Sequence, residues 1–532
     1  MIGFKSDRCP LALILMAAVA LRLAILACGA VPFNSDEAVV ALMARHTLEG
    51  RWPVFFYGQS YMGSLDATLI AAAFAVLGQT VLVIRLVQSA VYLATVATTY
   101  ALGMRLFRDR WVAGAASMLL AVPTVLVSTY TTATLGGYGE ILLLGNLTLW
   151  LVHAVTTDRQ GSLSNWLGLG LVCGLGLWTS ALSIVYTLPA GVMVIVHFLR
   201  VRRNRSSDLP WAAWAWAAAG FLAGSSPWLW HNFAHSWSAL RFMITGQESS
   251  GIGVQQLPLS SRLAGMALLG LPALLGMRFP WSAGYTLLPL AIVPLTTSLA
   301  ALTTALQVSW HRRRAEHLLL IGVPGTFAGL YLLSRFGTDP TGRYFLPLAV
   351  PLVLWTAAAL NLLRTRHPRL AALLLACLVM YQLLGNIIAT IQNPPGLTTQ
   401  FDPSNRFDNA DDHELISFLR SVGITRGYSN YFVAFRIAFL SDESVILSSQ
   451  LPYKPDMSYN PADDRYPPYT AEVERAREVV YVTSIHPALD ALLAERLAAA
   501  GLQFLERQIG PYHIFYRLSR HITPQELGVW SP

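Results

Sequence analysis

Charge is scarce in this 532-residue sequence: Asp, Glu, Lys and Arg together make up 12% of it, about half the ~25% of a soluble globular chain. Hydrophobic residues fill 54%, and the mean hydropathy is +0.48. A soluble enzyme, a disordered chain and a secreted disulfide scaffold are excluded on that ground. Lysine is nearly absent, with only Lys5 and Lys454, so arginine carries the basic charge. The four cysteines, Cys9, Cys28, Cys173 and Cys377, all lie in or beside apolar runs, which leaves no disulfide framework and no CxxC knuckle. No P-loop, GxSxG elbow or nucleotide-binding fingerprint occurs. Nor is there an internal repeat or a matched pair of broken apolar segments, which argues against an inverted-repeat transporter.

The scarcity is uneven. Residues 1–391 hold 12 acidic and 25 basic residues, net +13, whereas 392–532 hold 17 and 12, net −5. The chain therefore reads as a polytopic α-helical membrane domain, 1–391, followed by an α/β domain, 392–532. The basic excess sits between apolar spans, where arginine orients helices, and gives no reason to expect nucleic acid.

Apolar segments near the ~20 residues that a bilayer requires fall at 10–31, 82–104, 112–128, 140–155, 164–180, 181–199, 211–230, 285–309, 317–334, 345–363 and 369–391. The first resembles a secretory signal after Lys5 and Arg8, but reads better as an uncleaved span. Stretches 65–79 and 263–278 are shorter. If neither crosses, the arginine-rich loops 105–110, 158–160, 200–205, 311–317 and 364–369 share one side. The positive-inside rule makes that side the cytoplasm. About eleven spans follow, thirteen being the alternative, with the C-terminal domain extracytoplasmic. Segments 32–80, 129–139, 231–284 and 335–344 then face outward. In the C-terminal domain, Asp411–Val422 and Ala488–Ala500 read as helices, Ser444–Leu447 and Glu478–Ser484 as strands, and Gln503–Leu518 as a strand pair broken at Gly510-Pro511. Leu451–Tyr469, rich in proline and tyrosine, reads as a loop able to cover a site.

The first outer segment carries the chemistry. In Asn34-Ser35-Asp36-Glu37, followed by Val39, Leu42, Met43 and His46 at helical spacing, an amphipathic surface helix begins with two carboxylates. Asn34 and Glu37 fit a capping box, and acids suit a first turn, so Glu37 reads mainly as structural. Asp36 has no such need and is a candidate base or metal ligand. Next come Tyr57, Gln59 and Tyr61, dense enough to stack on and hydrogen-bond a hydroxyl-rich ligand, or else to form an interfacial aromatic belt. Asp66 opens the short apolar stretch. It either complements a helix dipole or joins Asp36 on one cation or one acceptor hydroxyl.

A first span ending in an acidic DEA helix, then a Gly-rich aromatic stretch leading to an acid, resembles the GT-C glycosyltransferases, nearest to the protein O-mannosyltransferase and aminoarabinose-transferase group. Arg85, the basic Arg105–Arg110 cluster and Thr134-Leu135-Gly136-Gly137-Tyr138-Gly139-Glu140 fit the same order, as does the two-domain plan. The resemblance implies an inverting hexosyl- or pentosyltransferase of a bacterial cytoplasmic membrane. Its donor would be a polyprenyl-phosphate sugar, and its acceptor a glycan, lipid or protein. It implies Asp36, with Glu37 beside it, and Asp66 as catalytic acids, and Asp36 and Asp66 as ligands if a divalent cation takes part. Tyr57, Gln59, Tyr61, Tyr138, Glu140 and Tyr344 would bind substrate. Ala67 stands where aminoarabinose transferases often carry lysine, which argues against lipid A modification.

In Arg335–Pro347, Arg343 sits at an outer membrane edge, where it either pairs with Asp339 or binds the lipid phosphate in bidentate fashion. The GRY pattern there again resembles the family. Arg241 is a second phosphate candidate. His231 and His235 at i,i+4 read as a helix-end pair rather than metal ligands. The rival classes are a lipid-linked-sugar flippase, for which only Arg22 and Arg85 lie deep enough, and a non-catalytic envelope scaffold.

Overall fold

The computed structural model describes residues 8–157, 162–203, 211–245, 257–312, 315–334, 339–393, 396–406 and 408–530. The predicted basic loop 158–160, part of 200–205 and the 335–338 portion of the GRY segment lie outside them. The chain forms two compact units, one of Met1–Val31, Tyr61–Asp66 and Ile84–Thr399, the other of Pro32–Ser60, Ala67–Val83 and Gln400–Pro532.

The helical unit is built on long apolar helices. Among the described residues, six helices are long and apolar enough to cross a bilayer by length and composition: Pro10–Ala27, Val81–Phe107, Tyr138–Thr157, Ala181–Val201, Arg343–Arg364 and Pro368–Gln392. Leu163–Thr179, Ile292–Gln307 and Leu318–Leu333 are apolar but shorter, and Trp211–Ala234 runs 24 residues. Two expected spans are interrupted. Residues 112–128 divide into helices Arg110–Ala121 and Val125–Tyr130 at Pro123, which lacks the N–H that a continuous helix needs. Residues 285–309 turn helical only from Ile292. The two short stretches form the 13-residue helix Leu65–Leu77 and the segment Leu259–Leu274, which contains a π-helical turn at Gly265–Gly270.

Glycine sets the closest helix contact. Gly170 and Gly174 face Gly220 and Gly224, and a Cβ at Gly170 would stand 1.9 Å from the Ala217 carbonyl oxygen. Such small-residue faces let backbones approach where no hydrophobic force drives helices together in lipid. The buried Arg22 in the first helix is satisfied locally: it donates to Thr131 and Thr132, and its guanidinium lies 4.1 Å from the Tyr92 ring centroid. With its charge spent on structure, Arg22 gives a transport pathway nothing to use.

The other unit holds a five-stranded sheet of β1 (Arg426–Tyr428), β2 (Ile446–Ser448), β3 (Val480–Ser484), β4 (Leu505–Ile509) and β5 (Tyr512–Tyr516), in the order β2-β1-β3-β5-β4. β1 runs parallel to β2 and β3, and β5 runs antiparallel to β3 and β4. The expected helices appear at Asp412–Val422, ended by left-handed Gly423, and at Pro487–Ala499. Helices Tyr431–Leu440 and Pro467–Glu474 and strand β1 were not anticipated. Helix Ser35–Leu48 departs from expectation in its surroundings. It is not half-exposed: Ser35 and every residue from Glu37 to His46 are buried. It packs against Tyr431–Leu440, with Ser35 Oγ donating to the Tyr431 carbonyl at 2.7 Å.

Candidate functional site

In the helical unit, the second outer segment folds back on itself through Gly136 and Gly137, both with φ +83°. A Cβ at Gly136 would stand 2.7 Å from Met62 Sδ, and one at Gly137 2.4 Å from Thr179 Cγ2. Only glycine fits there. The turn delivers the Gly136 N–H and the Thr134 hydroxyl to Asp66 Oδ2, at 3.2 and 2.7 Å. Glu140, in the first turn of the following helix, is also buried. Its Oε1 accepts from Gln88 Nε2 at 2.9 Å, and its Oε2 has no hydrogen-bond partner. Asp66 and Glu140 are close enough to interact electrostatically.

The helical unit also holds a cavity of about 150 Å³ lined by Tyr61, Tyr138 and Tyr344, with Leu182, Val185 and Leu330 on its apolar side. Three residues singled out from separate stretches of the sequence therefore meet in one place. The Arg343 guanidinium lies 6.0 Å from the Tyr138 ring centroid and 5.4 Å from that of Tyr344. It pairs with Asp339 at 2.7 Å, while its Nε makes no hydrogen bond. Of the two readings of Arg343, the pair with Asp339 is present, and the Arg343 side chain remains 32% exposed. The segment bearing Arg343 is held by a residue the sequence did not flag. Fully buried Arg278 donates to the carbonyls of Ser282, Leu269 and Pro340 at 2.8, 3.0 and 2.7 Å. Arg241 is exposed, donates to the Ser236 carbonyl at 3.1 Å, and does not line this cavity. His231 and His235 stack at 4.1 Å where helix Trp211–Ala234 ends.

In the sheet-bearing unit, Asn34 Oδ1 accepts from the Glu37 backbone N–H at 3.0 Å, the cap the sequence predicted. The Glu37 side chain is 0% exposed. Asp36, half-buried, accepts from the Tyr431 phenol. Burial and the charge of Asp36 push the Tyr431 phenol well up, so it remains a donor. The Arg465 guanidinium lies over the rings of Tyr431 and Phe56, at 5.4 and 5.9 Å. Gly58, at φ +71°, leaves it room, for a Cβ there would meet Arg465 Cδ at 3.1 Å. Nearby Asp463 is pushed up to about 6 by burial, against the opposing pull of Arg465 and Lys454. The proline- and tyrosine-rich loop thus covers the first outer segment within this unit: the Tyr466 ring lies tilted against that of Tyr57, centroids 4.6 Å apart, and its phenol accepts from Arg51 at 2.9 Å. Gln59 closes a turn by donating its backbone N–H to the Phe56 carbonyl at 2.9 Å.

Among the described residues, no group of three or more His, Cys, Asp or Glu could hold a metal ion. Of the two candidate ligands, Asp36 accepts from the Tyr431 phenol, and Asp66 accepts from the Thr134 hydroxyl and the Gly136 N–H.

Residues 65–231 match the family model described as dolichyl-phosphate-mannose-protein mannosyltransferase. Among solved structures, the chain is similar to ArnT from Cupriavidus metallidurans bound to undecaprenyl phosphate, with TM-score 0.58, 12% identity, and 95% of this chain and 97% of that one covered. The Archaeoglobus fulgidus oligosaccharyltransferase in complex with Zn and sulfate matches at TM-score 0.54 and 11% identity, over 95% of this chain and 73% of that one. The archaeal oligosaccharyltransferase AglB from Archaeoglobus fulgidus, in complex with an inhibitory peptide and a dolichol-phosphate, matches at 0.51 and 10%, over 96% and 74%. No curated protein matches the chain.

Proposed function

We infer that this chain, which has the fold of the GT-C membrane glycosyltransferases, moves a sugar from a polyprenyl-phosphate carrier to an acceptor hydroxyl or amide. The observation that carries the reading is the cavity of Tyr61, Tyr138 and Tyr344 beside the Arg343 guanidinium. Its aromatic and apolar walls suit a prenyl chain and a sugar face, and its cation suits the phosphate that joins them. The ArnT structure holds undecaprenyl phosphate and the AglB structure a dolichol-phosphate, the same chemical class of ligand.

In the reaction, the acceptor oxygen or nitrogen attacks the anomeric carbon, the bond from that carbon to the phosphate oxygen breaks, and the configuration inverts. The leaving polyprenyl phosphate takes the electron pair, and Arg343 neutralises it in a site of low dielectric. In the sheet-bearing unit, Asp36, its carboxylate oriented by Tyr431, is the candidate base for the acceptor. Asp66, held by Thr134 and Gly136, keeps the turn before Tyr138 in shape. The protein is a multi-pass membrane protein, in this reading of a bacterial inner membrane, with residues 392–532 outside.

Mass spectrometry of the lipid co-purified with the wild-type protein and with Arg343→Gln tests this. Polyprenyl phosphate or its glycoside should accompany the wild type and fall at least about tenfold in the variant, as expected for loss of a charge-assisted bond. No prenyl lipid in either preparation, or equal amounts in both, would sink the reading.

A further inference from the structure

His46 lies in helix Ser35–Leu48, is completely buried, and makes two side-chain bonds. Its Nε2 is 3.1 Å from Glu443 Oε1 and its Nδ1 is 2.6 Å from the Tyr57 phenol oxygen. Glu443 Oε1 also accepts from the Tyr469 phenol at 2.6 Å, and Arg45 lies 3.6 Å from Oε2. Burial pushes the Glu443 carboxyl up, but the bonds from His46 and Tyr469 and the charges of His46 and Arg45 outweigh it and hold the group at about 2. Glu443 is therefore a carboxylate, which can only accept.

The rest follows by elimination along the chain of bonds. A carboxylate at Nε2 requires that nitrogen to carry the proton. In the neutral ring, Nδ1 then has only a lone pair. The Tyr57 phenol must donate to it, for burial pushes that phenol well up and keeps it protonated. With its one proton spent on His46, the phenol oxygen of Tyr57, a half-buried residue, has only lone pairs left to offer.

We propose that Glu443 and His46 are positioning residues that fix Tyr57 as a hydrogen-bond acceptor, so that the ligand group it meets is an O–H or N–H donor. For the ligand class, a sugar or acceptor hydroxyl, this rests on the glycosyltransferase reading; the direction of the bonds does not. The titratable and charged groups facing His46 are Tyr57, Tyr466, Glu443 and Tyr469, with Arg45 and Arg51 behind them.

Two measurements on the full-length protein test this. Nitrogen NMR of histidine-labelled protein, with the His46 signals identified by their loss in His46→Gln, reads the tautomer directly among the 12 histidines. Nε2 should be protonated and Nδ1 bare at neutral pH, and Glu443→Gln should shift the proton toward Nδ1. A proton on Nδ1 in the neutral wild type would overturn the proposal. In the transfer assay, using lipid-linked sugar extracted from the producing cells, Tyr57→Phe and Glu443→Gln should each raise the KM of the substrate that Tyr57 contacts about tenfold. The double variant should show no further rise, because both act through one oxygen. Multiplying effects, with both variants folded, would mean that Glu443 acts otherwise. Absence of transfer in the wild type would count against the enzyme reading alone, since the NMR result stands without it.

Discussion

The phenol of Tyr431 donates to the carboxylate of Asp36, a residue 395 positions earlier in the chain. Asp36 thus has its orientation fixed by a neutral donor. Asp36→Asn removes the charge and preserves the shape, so transfer should be abolished in a folded protein. Tyr431→Phe removes one bond to a charged group, about 1.5–3 kcal/mol, and kcat should fall roughly 10- to 100-fold. Comparing kcat of the two variants under saturating donor checks this. Unchanged kcat in Tyr431→Phe would mean that the phenol only packs.

Arg278 makes a separable prediction about the lipid phosphate. It holds the Pro340 carbonyl, and Arg343 follows three residues later. Arg278→Lys keeps the charge but loses the planar fork that reaches several carbonyls at once. Its buried neighbours are then left without donors, so the melting temperature should fall along with phosphate binding. Arg343→Gln should lower binding alone, since its pair with Asp339 is partly exposed and worth about 1 kcal/mol or less. Melting curves set beside lipid retention separate the two. A large loss of stability in Arg343→Gln would contradict the assignment.

Much of the fold was legible because it follows from periodicity and composition. Strands β4 and β5 flank the Gly510-Pro511 turn and helix Asp412–Val422 buries one face, signals that a sequence carries openly. Helix Tyr431–Leu440 does not: it is buried on nearly every side, so its apolar run has no period to read. The same burial misled the reading of Ser35–Leu48, whose apolar spacing suggested a surface helix. At the candidate site, Tyr61, Tyr138, Arg343 and Tyr344 stood out as aromatic or charged residues among apolar spans. Tyr431, Arg278 and Glu443 did not, because their importance lies in long-range partners that local sequence cannot name.

Acidity should act on the sheet-bearing unit in two opposite ways. Glu443, held at about 2 against its usual 4.5, favours folding above pH 4.5, and that contribution is lost as pH falls toward 2. Asp463, raised to about 6 from 3.8, favours folding only while protonated, and that contribution is lost as pH rises through 6. Asp463→Asn should therefore flatten the decline between pH 4 and 6, and Glu443→Gln the decline below pH 4.5. Melting temperatures measured from pH 3 to 8 give both slopes. An unchanged profile in Asp463→Asn would mean that its carboxyl ionises normally.

The glycine contact between helices Leu163–Thr179 and Trp211–Ala234 should be the least tolerant part of the helical unit. A Cβ at Gly220 would lie 2.1 Å from the Leu167 carbonyl oxygen and 2.8 Å from the Leu171 nitrogen. Both are backbone atoms, so no side-chain rotation can relieve the clash, and the helices themselves must separate. Overpacking of this kind costs about 1–3 kcal/mol where neighbours can adjust, and more where they cannot. Gly220→Val should accordingly lower the yield of monodisperse protein and its melting temperature by several degrees. Gly191, where a Cβ meets nothing within 4 Å, provides the control: Gly191→Ala adds helix propensity without a clash, and stability should hold or rise. Size-exclusion profiles and melting curves of the two variants decide the matter. If Gly220→Val is as stable as the parent, backbone approach is not what joins these helices.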